Sequence, residues 1–193
     1  MFGKAFLIKN NAGFNLVELL VVLAILSISF TVVGPNIHAF ASKARLSSVS
    51  NERVTVMQRA RLYSIEQART VLICASEDYQ KCDLNWRLAL IAFVDVNRNQ
   101  KRDLDEELVA SAPPAPDNID IKGPRRYVRF YEHGTSATPA TFISCINLID
   151  VKGHAYLANA QFISLQGRMR KGTDKNVDGI HEYKNGKAVS CRH

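Results

Sequence analysis

Arg168 and Arg170 stand one residue apart in the segment GRMRKG. Alternate residues of an extended segment share a face, so the two guanidiniums point together, with Lys171 beside them. Lys175, Lys184, Lys187 and Arg192 follow, and between Gln166 and His193 seven basic side chains stand against three acidic ones. Such a patch suits phosphate oxygens; contact of this kind is indifferent to base sequence and weakens steeply with salt as counterions are released. A second basic run, Lys122, Arg125, Arg126 and Arg129, either extends this contact or decorates a strand, and decoration is the preferred reading.

Glu18 is a different kind of chemical anomaly, a lone carboxylate in the apolar run from Phe14 to Val33. In a bilayer it costs about 3 kcal/mol, and that cost demands a partner. An amine freed at Phe14 of a neighbouring copy would supply one, because ammonium and carboxylate attract strongly in low dielectric.

Two loops carry oxygen-bearing side chains at calcium-loop offsets: Asp95, Asn97, Asn99, Asp103 and Glu106, then Asp174, Asn176, Asp178 and Glu182 with Gly179 between them. Against calcium stand Gln100 in place of a glycine, Asn185 in place of a closing glutamate, and basic neighbours. Turn formation explains the same letters, so no metal is expected, and the second set holds the better calcium candidates. His38, His133, His154, His181 and His193 show no metal-ligand spacing, and no glycine-framed serine or phosphate-binding loop occurs. The reading is a non-enzyme without a cofactor.

The elements that must position these groups follow from patterning. With 193 residues, 47% of them hydrophobic, the chain can bury one core in addition to its apolar segment. An ordinary secretory signal runs positive stretch, apolar stretch, cleavage site, and discards the apolar part. Here the polar leader MFGKAFLIKNNAG comes first, so a cut after Gly13 keeps the apolar helix and lowers the net charge from +7 to +5 by removing Lys4 and Lys9. Those lysines hold the leader on the cytoplasmic side. Gly34-Pro35 is expected to kink or locally unwind the helix.

Beyond it, Leu46, Val49, Val56, Met57, Ala60, Tyr63 and Ser64 recur at helical spacing up to about Arg69, with Lys43, Arg45, Arg53, Arg59, Arg61 and Arg69 assigned to a solvated face. Strands are predicted at Thr70 to Cys74, Arg87 to Val94, Glu107 to Ser111, Tyr127 to Tyr131, Thr141 to Asn147 and Gln161 to Leu165. One helix followed by strands predicts an α+β fold with an antiparallel sheet on the helix. Cys74, Cys82, Cys145 and Cys191 lie past the apolar run without zinc spacing, so disulfides in an oxidising compartment are expected; of three possible pairings, Cys74 with Cys82 and Cys145 with Cys191 is preferred.

The segment GFNLVELL resembles the class III signal of type IV prepilins and type II secretion pseudopilins, with Gly13, Phe14 and Glu18 at its key positions and Asn15 where threonine is commoner. The resemblance implies a prepilin peptidase that cuts after Gly13 and methylates Phe14. It divides the chain into a leader (1–13), a transmembrane and filament-assembly helix (14–40) and a head outside the inner membrane (41–193). ARLYSIEQARTVLIC, the Cys74-to-Cys82 loop with Trp86 after it, FVDVNRNQKRDLDEEL and GRMR are similar, in that order, to the minor-pilin branch that contains FimU, FimT and GspH. That branch implies the type IV pilin fold, other major and minor pilins and the inner-membrane assembly machinery as partners, the lipid bilayer before assembly, and the pilus at the cell surface after it. The GRxR element implies capture of double-stranded DNA in natural transformation, through Arg168, Arg170, Lys171, Lys175, Lys184 and Lys187. The alternatives are a priming or tip minor pilin and a type II secretion minor pseudopilin.

Overall fold

The helix α1 (Leu16–Glu66) opens on Asn15, whose Oδ1 accepts a hydrogen bond from the Val17 amide at 3.4 Å. The computed structural model describes residues 15–147 and 156–191, with side chains 30–36 and 38–39 left aside; Gly13, Phe14, His154, Arg192 and His193 fall outside the described residues. The chain divides into two compact units, Met1–His38 and Ala39–His193.

In the first unit, Leu16, Val17, Leu19 to Leu23, Ile25, Leu26 and Ile28 are all exposed, so the helix is apolar around its whole circumference. A surface of that kind is stable only under lipid or other helices. Ser27 and Ser29 donate their hydroxyls back to the carbonyls of Leu23 and Ile25, at 2.7 and 2.8 Å, which satisfies those donors without water. Glu18 is exposed in the first turn. Among the described residues no helix is long and apolar enough to cross a membrane. Helical structure continues through Gly34-Pro35, so the expected unwinding there is absent.

In the second unit the rest of α1 buries Leu46, Val49, Val56, Met57 and Ala60 as one stripe. Arg53, expected on the solvated face, lies in this stripe and is buried, as are Ser50 and Ser64. The helix ends with Ala68 in a left-handed conformation (φ 47°) while the amide of Arg69 reaches the carbonyl of Ser64, a closing bond that satisfies one of the last carbonyls.

Eight strands follow: β1 (Val71–Ser76), β2 (Ala89–Val94), β3 (Leu108–Ala112), β4 (Ile119–Lys122), β5 (Tyr127–Phe130), β6 (Ala140–Asn147), β7 (Tyr156–Ile163) and β8 (Met169–Lys171). They form two antiparallel four-stranded sheets, β3-β2-β1-β5 and β4-β6-β7-β8, where a single sheet was expected. β4 was not anticipated, and β7 lies several residues before its predicted place at Gln161 to Leu165.

The inner faces of both sheets share one core with α1, in which Val71, Ile73, Leu90, Ala92, Phe130, Phe142, Ile146 and Ile163 meet the helical stripe. The outer face of the first sheet buries Leu72, Cys74, Ile91 and Phe93. It is held to the following loop by the Cys74–Cys82 disulfide, and that loop is tied to the next by the Arg102 amide bonding the Gln80 carbonyl at 2.8 Å. On the outer face of the second sheet, Ile143, Cys145, Ala158 and Ala160 pack with Ile180, Tyr183 and Val189 of the C-terminal segment. The Cys145–Cys191 disulfide fastens that segment down.

Candidate nucleic-acid interface

The hairpin that carries GRMR is built around Gly167. Its amide bonds the Ser164 carbonyl at 2.8 Å, and the Arg168 amide reaches the Ser164 hydroxyl at 3.2 Å. Gly167 has φ +71°, and a Cβ placed there would lie 1.9 Å from the Gly134 carbonyl oxygen and 2.7 Å from Arg61 Nε. No side chain fits. Arg61 of α1 fastens the same junction, donating from Nε to the Gly134 carbonyl at 2.9 Å and from Nη2 to the Gln166 carbonyl at 3.3 Å. The glycine of the motif is therefore fixed by packing against a neighbouring turn, and Arg61, read from sequence as surface, is a structural tie.

Past Gly167 the chain enters β8, the edge strand of its sheet. Arg170 pairs with Phe162 of β7, and its guanidinium lies 4.2 Å from the Phe162 ring centroid. Phe162 in turn leans on Tyr183, with centroids 5.4 Å apart. The cation–π contact, worth about 0.5–1 kcal/mol at an exposed site, holds the charge at a defined place on the outer face. Arg168 and Arg170 are exposed and line an open groove of about 830 Å³ together with Phe162, Thr141, Pro139 and Lys184.

Of the six basic residues grouped by sequence, three line this groove: Arg168, Arg170 and Lys184. Lys171 alternates to the opposite side of β8, across from Gln161. Lys187 shares the turn of Lys184, where the Tyr183 amide bonds the Lys187 carbonyl at 2.8 Å. Lys175 sits apart, on the loop that begins at Asp174, and all three of these lysines are exposed. Lys184 reaches the groove because the C-terminal segment is laid across β7: the Gly172 amide bonds the Ala160 carbonyl, and the His181 amide the Ala158 carbonyl, each at 2.8 Å.

His181 also accepts the Ala160 amide on Nδ1 at 3.0 Å. Burial sets the imidazole below its ordinary value, so the neutral form, which can accept that amide, is preferred. Phe162, Tyr183, His181 and Arg61 were not singled out by the sequence as parts of this site; only strand register and the folded-back tail bring them together.

The acidic loops direct their oxygens inward. Asp174 accepts the amides of Asp178 and Gly179 at 3.1 and 2.9 Å, Asp178 accepts that of Ile180 at 2.8 Å and the Asn176 side chain at 2.8 Å, and buried Glu182 accepts that of Lys175 at 3.0 Å. In the first loop, Glu106 accepts the Val96 and Asp103 amides at 2.8 and 3.1 Å. Hydrogen bonds from the Asn97 and Asn99 side chains lower the Asp103 carboxyl. Among the described residues no group of three or more acids, histidines or cysteines is arranged to hold a metal.

Asp95 is buried and pairs with Arg129 at 3.2 Å. Arg129 also lies 5.1 Å from the centroid of the Tyr127 ring. This corrects its reading as surface decoration: it neutralises a carboxylate under the loops of the first sheet.

Residues 50–161 match the family described as type II transport protein GspH. Residues 8–34 match the prokaryotic N-terminal methylation motif. No curated protein matches the chain. Among solved structures it is similar to two crystal forms of the type IV minor pilin FimU of Pseudomonas aeruginosa. One has 21% identity and a TM-score of 0.52, covering 69% of this chain and 92% of that one. The other has 21% identity and a TM-score of 0.46 over 66% and 92%. At this identity the first likeness speaks for the fold, a long helix under antiparallel sheets. Taken with the family and motif matches, which span the head and the N-terminus, it places the chain in the GspH family of type IV minor pilins and pseudopilins.

Proposed function

We propose that this subunit is a minor type IV pilin whose head captures double-stranded DNA, without sequence preference, during natural transformation. The observation that carries the reading is the groove in which Arg168, Arg170 and Lys184 converge, the part of the second sheet's outer face that borders the C-terminal segment. Three cations along an open groove suit a phosphate backbone, and the Arg170 guanidinium over Phe162 leaves that ring a poor platform for an unstacked base. On this reading the peptidase cuts after Gly13 and methylates Phe14, Glu18 meets the new amine of a neighbouring subunit, and the head stands outside the inner membrane before it enters the pilus.

The test is duplex binding by the purified chain in detergent as salt is varied. Three phosphate contacts give a loss of roughly 40-fold between about 50 and about 200 mM salt, and Arg168→Gln/Arg170→Gln lowers the log–log slope by about 2. A slope unchanged in the double variant refutes the groove as the DNA site. Lost pili with intact DNA binding in that variant, assayed in the same strain as DNA uptake, favours a priming subunit; lost protein export favours a secretion pseudopilin.

A further inference from the structure

Arg53 is buried in the middle of α1 at 2% exposure, with one acceptor, the Leu88 carbonyl at 3.1 Å from Nη2. Its Nε and Nη1 have no hydrogen-bond partner among the described residues. Arg87, Arg102 and Arg129 each have an unmatched Nε as well; Arg129 and Arg87 form ion pairs, with Asp95 and Asp117, and the partly exposed Arg102 side chain reaches the Tyr79 carbonyl, at 3.5 Å. Arg53 differs in having two unmatched nitrogens, and among the described residues it forms no ion pair. Burial lowers the guanidinium to about 10, with Glu52 opposing the shift, so it remains charged at neutral pH. A buried charge that no carboxylate contacts directly is among the costlier features a fold can retain.

Arg53 lines a pocket of about 280 Å³. Arg45, Ser48 and Glu52 of α1 form one wall, and Pro113, Pro114 and Pro116 of the loop after β3 form the other. The prolines supply no amide donors and little freedom to close over the arginine. Two arginines face one acid, and Glu52 is already approached by the Ser48 hydroxyl at 3.3 Å. What this pocket lacks is a second carboxylate.

We propose that the pocket receives the carboxylate of an acidic side chain on a neighbouring filament subunit, which becomes the counter-ion of Arg53. A small rotation of the guanidinium toward the pocket opens Nη1 to a charge-assisted hydrogen bond while Nη2 keeps the Leu88 carbonyl. A neighbouring subunit is the occupant because the chain belongs to a filament-forming family and the pocket lies on α1 itself. The inference is independent of DNA binding.

The test uses acetate as the probe. The full chain in detergent is melted in sodium acetate and in sodium chloride at equal ionic strength and pH. The wild type is expected to melt about 3 °C higher in acetate at several times its Kd, a difference lost in Arg53→Met. Ser48→Trp, at an exposed position, fills the mouth while leaving the fold intact and is expected to lose the difference too. Equal melting of the wild type in both salts, or a difference that persists in Ser48→Trp, overturns the proposal. A photoreactive residue at Ser48 in piliated cells is expected to give adducts with another pilin subunit that disappear on adding Arg53→Met. An acetate response without such adducts assigns the pocket to a free small carboxylate and overturns the subunit as its occupant.

Discussion

The outer faces of the two sheets are covered by different means. On the first, two loops interlock, Cys74–Cys82 closes a short loop, and the acid at the margin, Asp95, has its own arginine. On the second, a single tail crosses the strands, pinned by Cys145–Cys191, and the Phe162 end stays open as the basic groove. In one place charges are paired and sealed, and in the other they are stacked and displayed. Basic residues in this head therefore fall into two populations that the sequence does not separate: Arg53, Arg61 and Arg129 work inside the fold, while Arg168, Arg170 and Lys184 face water.

The largest expected effect comes from cutting the covers loose. Cys145→Ser/Cys191→Ser opens a loop of separation 46, which chain entropy values at about 4 kcal/mol. Cys74→Ser/Cys82→Ser opens one of separation 8, about 2.5 kcal/mol. Denaturant unfolding should rank them in that order, and only the first should lower duplex affinity, because it frees Lys184. Equal losses of affinity in both would erase the distinction between the two faces.

Arginine substitutions on the two faces sharpen it further. Arg129→Gln strands the Asp95 carboxylate and should cost about 3 kcal/mol with DNA binding intact. Arg170→Gln gives up a surface stack worth about 0.5–1 kcal/mol and should lower duplex affinity by roughly tenfold at low salt. Melting and binding measured on both variants decide the matter.

The smallest effect is a pH dependence confined to the tail. The imidazole of His181 titrates lower in the folded chain than when unfolded, so between those two values the unfolded state binds more protons and stability rises with pH. As pH falls below the ordinary imidazole range the folded form should lose a small part of its stability, the proton displacing the Ala160 amide from Nδ1. His181→Asn should flatten the profile, and amide exchange at Ala160 should quicken in acid in the parent alone.

How legible this arrangement was in the sequence depended on whether a residue's position follows from local periodicity. The stripe Leu46, Val49, Val56, Met57 and Ala60 was readable because a helix repeats its buried face. Arg53 and Arg61 were misassigned by a rule that sends arginine to water; what holds them is a carbonyl on another element, and no local pattern encodes that. The short strand β4 has too few alternations to stand out, and β7 was placed late because its apolar run starts before the predicted segment. In the candidate site, GRMR and the charge excess were visible, but not that Lys184 belongs with them while Lys171 and Lys175 do not. That sorting depends on β8 register and on a tail folded back across β7.

The contact of Gly167 with the Gly134 carbonyl, clamped by Arg61, also has a mechanical side. A tug on Arg168 would enter the hairpin and pass through Arg61 straight into the last turns of α1, bypassing the disulfide-held tail. The groove is thus anchored to the head's helix, so cargo held there would load the backbone of the subunit and spare its C-terminal strap.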